Sequence, residues 1–321
     1  MKKFLVFSGI LISVFACQDG ELQSPSISKD GFILERLNRI NVEIKTVNNA
    51  RQAGGIVNWM ASINESLAAH SLQLGKIEYY GADGAGNTVF FNDRGNKQLD
   101  ADFVPGDLRR GGFSDIAYAL DGTEGATTSG LSQAQTDEAI LRAMNTWDNI
   151  SCSKGLELTS LGASPFDLGY VEALVTSGAE GSFFFTDIMH SGFNTTVADA
   201  VFGPGSNVLG VTFTFLWLDG IEPTDIDNNG KDDVAFRDIY YNDAFSWADG
   251  SNIDVETVVL HETGHGLSQA HFGELFLSEA NDKFHFSPRA VMNAGYTGIQ
   301  TNIGKTDQAS HCSNWGAWPN N

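Results

Sequence analysis

The chain has 321 residues, of which 42% are hydrophobic and 18% charged, with a formal net charge of -21 and three cysteines. That length admits one large domain or two ordinary ones of roughly 100 to 200 residues each. The 40 acids against 19 bases argue against nucleic acid as a partner, because a phosphate backbone calls for a basic face.

Lys2 and Lys3 precede an apolar run from Phe4 to Ala16, the pattern of an export signal and too short to span a bilayer. Val14-Phe15-Ala16-Cys17 resembles a bacterial lipobox, in which the cysteine is lipidated and becomes the new N-terminus; ordinary signal cleavage nearby is the alternative. Residues 1–17 are thus expected to be a signal peptide with Cys17 as lipidation site. The product is expected to be exported to the cell surface, anchored to a bacterial outer membrane through that lipid alone. Of the other cysteines, Cys152 and Cys312 are either one disulfide in an oxidising compartment or two unrelated buried thiols.

Polar, Ser-rich residues 18–31 read as a tether. Ile33, Leu34, Leu37, Ile40, Val42 and Ile44, then Ile56, Trp59, Met60, Ile63 and Leu67, predict helical structure across 32–70. Two apolar-aromatic runs flanking the glycine-rich turn at 81–86 predict a β-hairpin over 76–93. Together they make a small α+β region at 32–104, inside an N-terminal region or propeptide of residues 18–110. The cluster Pro105-Gly106-Asp107-Leu108-Arg109-Arg110-Gly111-Gly112 predicts a flexible boundary before a domain of residues 111–321. In that domain 113–120 reads as a strand. Ser132 and Gln135 form a capping box for an amphipathic helix over 133–149, with Ile140, Ala143, Met144 and Trp147 on one face. Further strands are predicted at 156–160, 182–187, 208–218 and 235–241.

The run from Ile253 to Leu260 leads into His261-Glu262-Thr263-Gly264-His265. On a helix, residues four apart share a face, so His261 and His265 can reach one zinc ion, with Asp254 as N-cap. Glu262 lies beside the metal without being needed as a ligand and can take a proton from water. A third ligand, His271, requires the helix to end, since ten more helical residues would carry it about 15 Å along the axis. Gly266 is the expected left-handed cap. Three histidines leave a coordination position open, as a catalytic zinc requires and a structural one does not.

These residues resemble the metzincin metalloproteases, whose signature is His-Glu-x-x-His-x-x-Gly-x-x-His followed by a methionine turn. Ala290-Val291-Met292-Asn293, with Met292 twenty-one residues after His271, matches that turn, and Gly264, His265 and Leu267 point to the matrixin-like branch. The likeness spans about residues 112–300. It implies an α+β catalytic domain with a twisted mixed sheet, an active-site helix and a small C-terminal subdomain carrying the Met-turn. It implies also a Zn2+ cofactor, a protein or peptide substrate, and zinc metalloendopeptidase activity. Ser268 stands where the family has its glycine, at a steric cost if the backbone there needs positive φ.

Tyr296 is a candidate oxyanion donor, or a packed aromatic. Asp225, Asp227, Asn229 and Asp233 place oxygens as in an irregular Ca2+ loop, though Phe236 stands where an EF-hand needs glutamate; a solvated acidic turn is the alternative. The resemblance makes the strand at Asn207 to Leu218 a candidate sheet edge for pairing with an extended substrate; it also reads as an internal strand, and the two readings are compatible. Phe103-Val104-Pro105-Gly106-Asp107 resembles the aspartate switch of astacin propeptides, which would set Asp107 on the metal. Glu279 is an alternative third ligand of gluzincin type. His70, His190, His285 and His311 lack ligand spacing. From another class, a surface-anchored binding or adhesion lipoprotein could keep the fold without turnover, but a structural zinc would not require Glu262.

Overall fold

The computed structural model describes residues 32–43, 55–84, 86–92, 101–176 and 180–320. The export signal, Cys17 and the tether lie outside them. The elements in chain order are β1 (Asn38–Glu43), α1 (Ile56–Leu67), β2 (Leu72–Gly81), β3 (Asn87–Phe90), β4 (Ala101–Asp102), β5 (Ile116–Asp121), α2 (Gln133–Asp148), β6 (Leu158–Ser164), α3 (Tyr170–Thr176), β7 (Glu180–Phe185), β8 (Ile188–Phe193) and α4 (Thr195–Phe202). Then follow β9 (Val208–Asp219), β10 (Glu222–Pro223), β11 (Asp232–Tyr241), β12 (Trp247–Ala248), β13 (Ile253–Asp254), α5 (Val255–Gly266), β14 (Glu274–Ser278), β15 (Lys283–Ser287) and α6 (Lys305–Trp315).

The result is a mixed α+β fold around a nine-stranded sheet of order β3-β2-β9-β11-β8-β5-β6, with β10 beside β9 and β4 beside β11. Strands β11, β8, β5 and β6 run parallel, whereas β9 is antiparallel to β11 and β2. Nearly every residue of β9 and β11 is buried, as their Val, Phe and Tyr content requires of strands covered on two faces. One face packs Ala139, Ile140, Ala143, Met144 and Trp147 of α2 against Val255, Val258 and Val259 of α5. The other packs Trp59, Met60 and Ile63 of α1, with α3 and α4, onto Val211, Phe213, Phe215 and Phe236.

Several expectations need correction. Residues 32–43 are not helical: after a short 3-10 turn at Leu34–Arg36, β1 pairs antiparallel with β7. Ile40 and Val42 sit two apart, and that strand period prevails over the helical spacing read across them. The hairpin formed, but it is no separate region, because β2 adds to β9 and β4 to β11 within the one sheet. The expected flexible boundary is instead a packed corner. Arg110 is 4% exposed and forks onto both carboxylate oxygens of Asp187 at 2.7 and 2.8 Å, with a third bond to the Val104 carbonyl. The α2 helix carries its capping box, while β8, α3 and α4 were not legible, their apolar runs being too short to show a period.

Candidate metal centre

The α5 helix begins where the Asp254 carboxylate accepts from the Thr257 amide and hydroxyl at 2.9 and 2.6 Å. Its body is locked to α2 by Trp147 Nε1, which donates to the Leu260 carbonyl at 2.9 Å. Four residues apart, His261 and His265 project from one face. His271 comes back to meet them, and the three Nε2 atoms stand 3.0 to 3.1 Å from one another. A triangle of that size accepts one metal ion about 2 Å from each corner, an ordinary metal-imidazole distance.

The outer nitrogens fix the tautomers. His261 Nδ1 donates to the Val291 carbonyl and His265 Nδ1 to the Gln269 carbonyl, each at 2.7 Å. Since a carbonyl can only accept, each Nε2 keeps its lone pair for the shared point. Burial, then the like charges of His265 and His271, hold His261 well below its usual range; burial holds His271 at about 3. Burial also opposes charge on His265, but Glu78 outweighs it and raises the imidazole. Burial likewise works against the Glu78 carboxylate, yet His265 and Lys76 hold it below the usual range.

The chain reversal that returns His271 is not made at Gly266, which stays helical. Ser268 is the left-handed residue, with φ +64°. Its conformation is held by Arg237, which donates to Ser268 Oγ at 3.0 Å and to the Gly266 carbonyl at 2.5 Å. The carbonyls just past the helix end find partners in α6: Trp315 Nε1 donates to Leu267 O and Asn314 Nδ2 to Ser268 O. The α6 helix is itself tied back by the Cys152–Cys312 disulfide.

Met292 lies under the centre. A Cβ on Gly264 would come within 2.3 Å of its sulfur, so glycine is needed for the helix to rest there. Asp307 holds the turn by accepting from the Val291 and Met292 amides at 3.0 and 3.1 Å. Glu262 is fully buried; its Oε2 accepts from the Thr212 hydroxyl at 2.6 Å, and its Oε1 has no hydrogen-bond partner. Gly210 leaves room for its stem, since a Cβ there would sit 2.7 Å from Glu262 Cγ. Burial pushes this carboxyl up to about 8.

Other sequence candidates fall elsewhere. The Tyr296 hydroxyl donates to Asn252 O at 2.6 Å and accepts from the Asp254 amide at 3.1 Å, so in this structure it is engaged at the start of α5, seven residues before His261. Asp107 accepts from the Arg109 amide at 2.8 Å, and Arg109 also pairs with Asp233. Glu262 instead faces Thr212, which pairs with Ile239, about 20 Å along β11 from Asp233; the aspartate-switch reading is therefore wrong. Glu279 is exposed between β14 and β15, and the grouping of possible ligands contains His271 and not Glu279. Strand β9 is internal to the sheet, between β2 and β11, as the second of its two readings has it. Asp225, Asp227 and Asp233 do lie together, but Asn229 turns its amide NH2 toward Asp102 and Asp227, and Arg109 and Lys231 supply cations there.

Sequence reading missed three residues of the β2–β3 hairpin. Tyr80 stacks on the His261 ring at 3.9 Å between centroids, Glu78 Oε1 lies 3.3 Å from His265 Nδ1, and Thr88 Oγ1 lies 3.4 Å from His271 Nδ1. The signal was present as Lys76-Ile77-Glu78-Tyr79-Tyr80, charges on alternate positions of an aromatic strand, but such charges ordinarily face water. Beyond the end of β2 a cavity of about 500 Å³ opens, lined in part by Leu275, Phe284, Phe286, Arg289 and Tyr296. The chain matches no protein-family model and no curated protein.

Proposed function

We propose that this protein is a zinc-dependent metalloendopeptidase of the metzincin type, in the matrixin-like branch, exported and lipid-anchored through Cys17 at a bacterial cell surface. The observation that carries the reading is the convergence of three Nε2 atoms within 3.1 Å of one another, beside a buried glutamate with one unpartnered oxygen. Three imidazole nitrogens fit zinc better than calcium or magnesium, which prefer oxygen. His261, His265 and His271 would hold the ion, and it would polarise a peptide carbonyl and acidify a water.

The protein's own groups do the rest. Glu262 Oε1 is free to receive a proton from water, while Thr212 holds Oε2 and stops the carboxylate from turning. A carboxyl that burial raises to about 8 can then return the proton to the leaving amine. The Met292 turn beneath Gly264 supports the metzincin assignment.

The test is metal analysis together with hydrolysis of denatured casein. About one zinc per chain is expected, lost in His271→Ala and kept in Glu262→Ala. Hydrolysis should vanish with a chelator and in Glu262→Ala. Casein cleavage by Glu262→Ala at the wild-type rate would rule the mechanism out.

A further inference from the structure

We propose that α6 orients the ligand imidazoles of the metal centre, and that the Cys152–Cys312 bridge, by fixing α6, sets how tightly the centre holds its metal. This rests on the metal-binding part of the reading above and not on turnover. It adds a redox condition for loading the site.

The buried face of α6 consists of Asp307, His311, Asn314 and Trp315, spaced as one stripe of a helix. Only Trp315 is apolar, so little hydrophobic area holds this helix down. What the stripe offers is directional bonds, and these end on the backbone that aims the imidazoles. The Val291 carbonyl takes the His261 Nδ1 proton, and Asp307 grips the Val291 and Met292 amides at 3.0 and 3.1 Å. The Gln269 carbonyl takes the His265 Nδ1 proton. The two carbonyls before it, of Leu267 and Ser268, accept from Trp315 Nε1 at 2.9 Å and from Asn314 Nδ2 at 3.1 Å. His271 follows directly on this turn, so the same grip places the third ligand. Removing a group that orients a ligand from behind costs roughly 10- to 100-fold in metal affinity.

The covalent tie on α6 sits in the middle of this stripe, at Cys312, and runs to Cys152 just past the end of α2. Beside it Ser153 Oγ stands 2.8 Å from His311 Nε2. The His311 ring lies 5.3 Å from that of Trp147, which bonds the Leu260 carbonyl next to His261. With the bridge open, Asn314 and Trp315 lose their nearest anchor and the Ser268 turn its two donors. Trp318 Nε1 still holds Ser114 O at 2.7 Å, so α6 loosens and does not leave. Both cysteines are partly exposed, within reach of a small thiol. Closing the bridge takes two electrons and two protons from the two thiols and gives them to a disulfide such as glutathione disulfide, which leaves as two thiols. The coupling is reciprocal: a bridge that raises zinc affinity by some factor is itself favoured by bound zinc by the same factor. A chain exported from a reducing cytoplasm to an oxidising compartment would thus fill its centre after export.

The experiment uses the full chain carrying Cys17→Ser, which leaves Cys152 and Cys312 as its only cysteines. Zinc affinity is measured by competition with a chromophoric chelator, and ligand geometry by the visible spectrum of the cobalt(II) form. Compared with the bridged parent are the pair Cys152→Ser with Cys312→Ser, then Trp315→Phe and Asn314→Leu with the bridge intact, and Phe236→Leu, a packing change on the opposite face of the sheet. The serine pair and both α6 variants should bind zinc roughly 10- to 100-fold more weakly, with an altered cobalt spectrum. Phe236→Leu should match the parent in both, whatever its melting temperature. In a glutathione redox buffer, saturating zinc should shift the ratio of bridged to open chain by the same factor as the bridge shifts affinity. Equal zinc affinity in the bridged and serine chains, or a loss in Phe236→Leu as large as theirs, overturns the inference and leaves the peptidase reading standing. Should the serine pair not fold, unchanged affinity in Trp315→Phe and Asn314→Leu overturns it as well. If the parent binds no zinc, the metal reading falls and takes the inference with it. A coupled zinc site that cleaves no casein sinks the peptidase reading alone.

Discussion

The hydroxyl of Thr212 donates to Glu262 Oε2 at 2.6 Å across the space between β9 and α5. Oε2 of this fully buried carboxylate is thereby held while Oε1 is left unpartnered. Thr212→Val keeps shape but removes the donor, at a cost of about 1–3 kcal/mol for an unmet buried group. In the proposed peptidase, kcat should fall roughly 10- to 100-fold at constant zinc content, and Thr212→Ser should stay close to wild type. An unchanged kcat in the valine variant would show that Glu262 needs no such anchor.

Ser268 sets two effects against each other. Its φ of +64° costs about 1 kcal/mol relative to glycine. Its Oγ, however, receives a buried guanidinium at 3.0 Å, a bond to a charge worth about 1.5–3 kcal/mol. The bond outweighs the strain. Ser268→Gly should therefore lower the melting temperature, and Ser268→Ala should lower it more because it loses the bond and keeps the strain. A stabilised glycine variant would mean that Arg237 finds another acceptor.

The Cys152–Cys312 bridge joins positions 160 apart in sequence. In the loop-closure picture a loop of that size is worth about 5 kcal/mol. Replacing both cysteines by serine should lower the melting temperature by on the order of 10 °C, and α6 should loosen before the sheet does. Hydrogen exchange at Asn314 and Trp315, compared with that in β11, reads this directly.

His190 is buried with Nδ1 at 2.8 Å from the Tyr241 hydroxyl and its ring edge-on to Tyr118, and burial lowers it to about 3. Unfolded, a histidine binds its proton near pH 6.5. Its contribution is thus complete above pH 6.5 and drains away as pH falls from there toward 3. His311, bonded to Ser153 and lowered by burial to about 4, acts in the same window. Melting temperature measured from pH 7 to 4 should fall, and His190→Asn should flatten part of that slope. An identical slope in the variant would assign the acid sensitivity to other groups.

Local chemistry determined much of this protein from the sequence alone. A spacing of four on a capped helix sets His261 and His265 on one face whatever surrounds them, and Glu262 follows because it lies between them. The capping box at Ser132 and the glycine-rich turn after β2 likewise act within a few residues. Tertiary structure alone decided which side of β9 is filled, since strand order depends on contacts far apart in sequence. It put Glu78 and Tyr80 against the imidazoles, made Ser268 the left-handed residue because Arg237 was there to bind it, and drew the Tyr296 hydroxyl to the start of α5. In each case a residue's role was set by a partner that its neighbours in sequence do not specify.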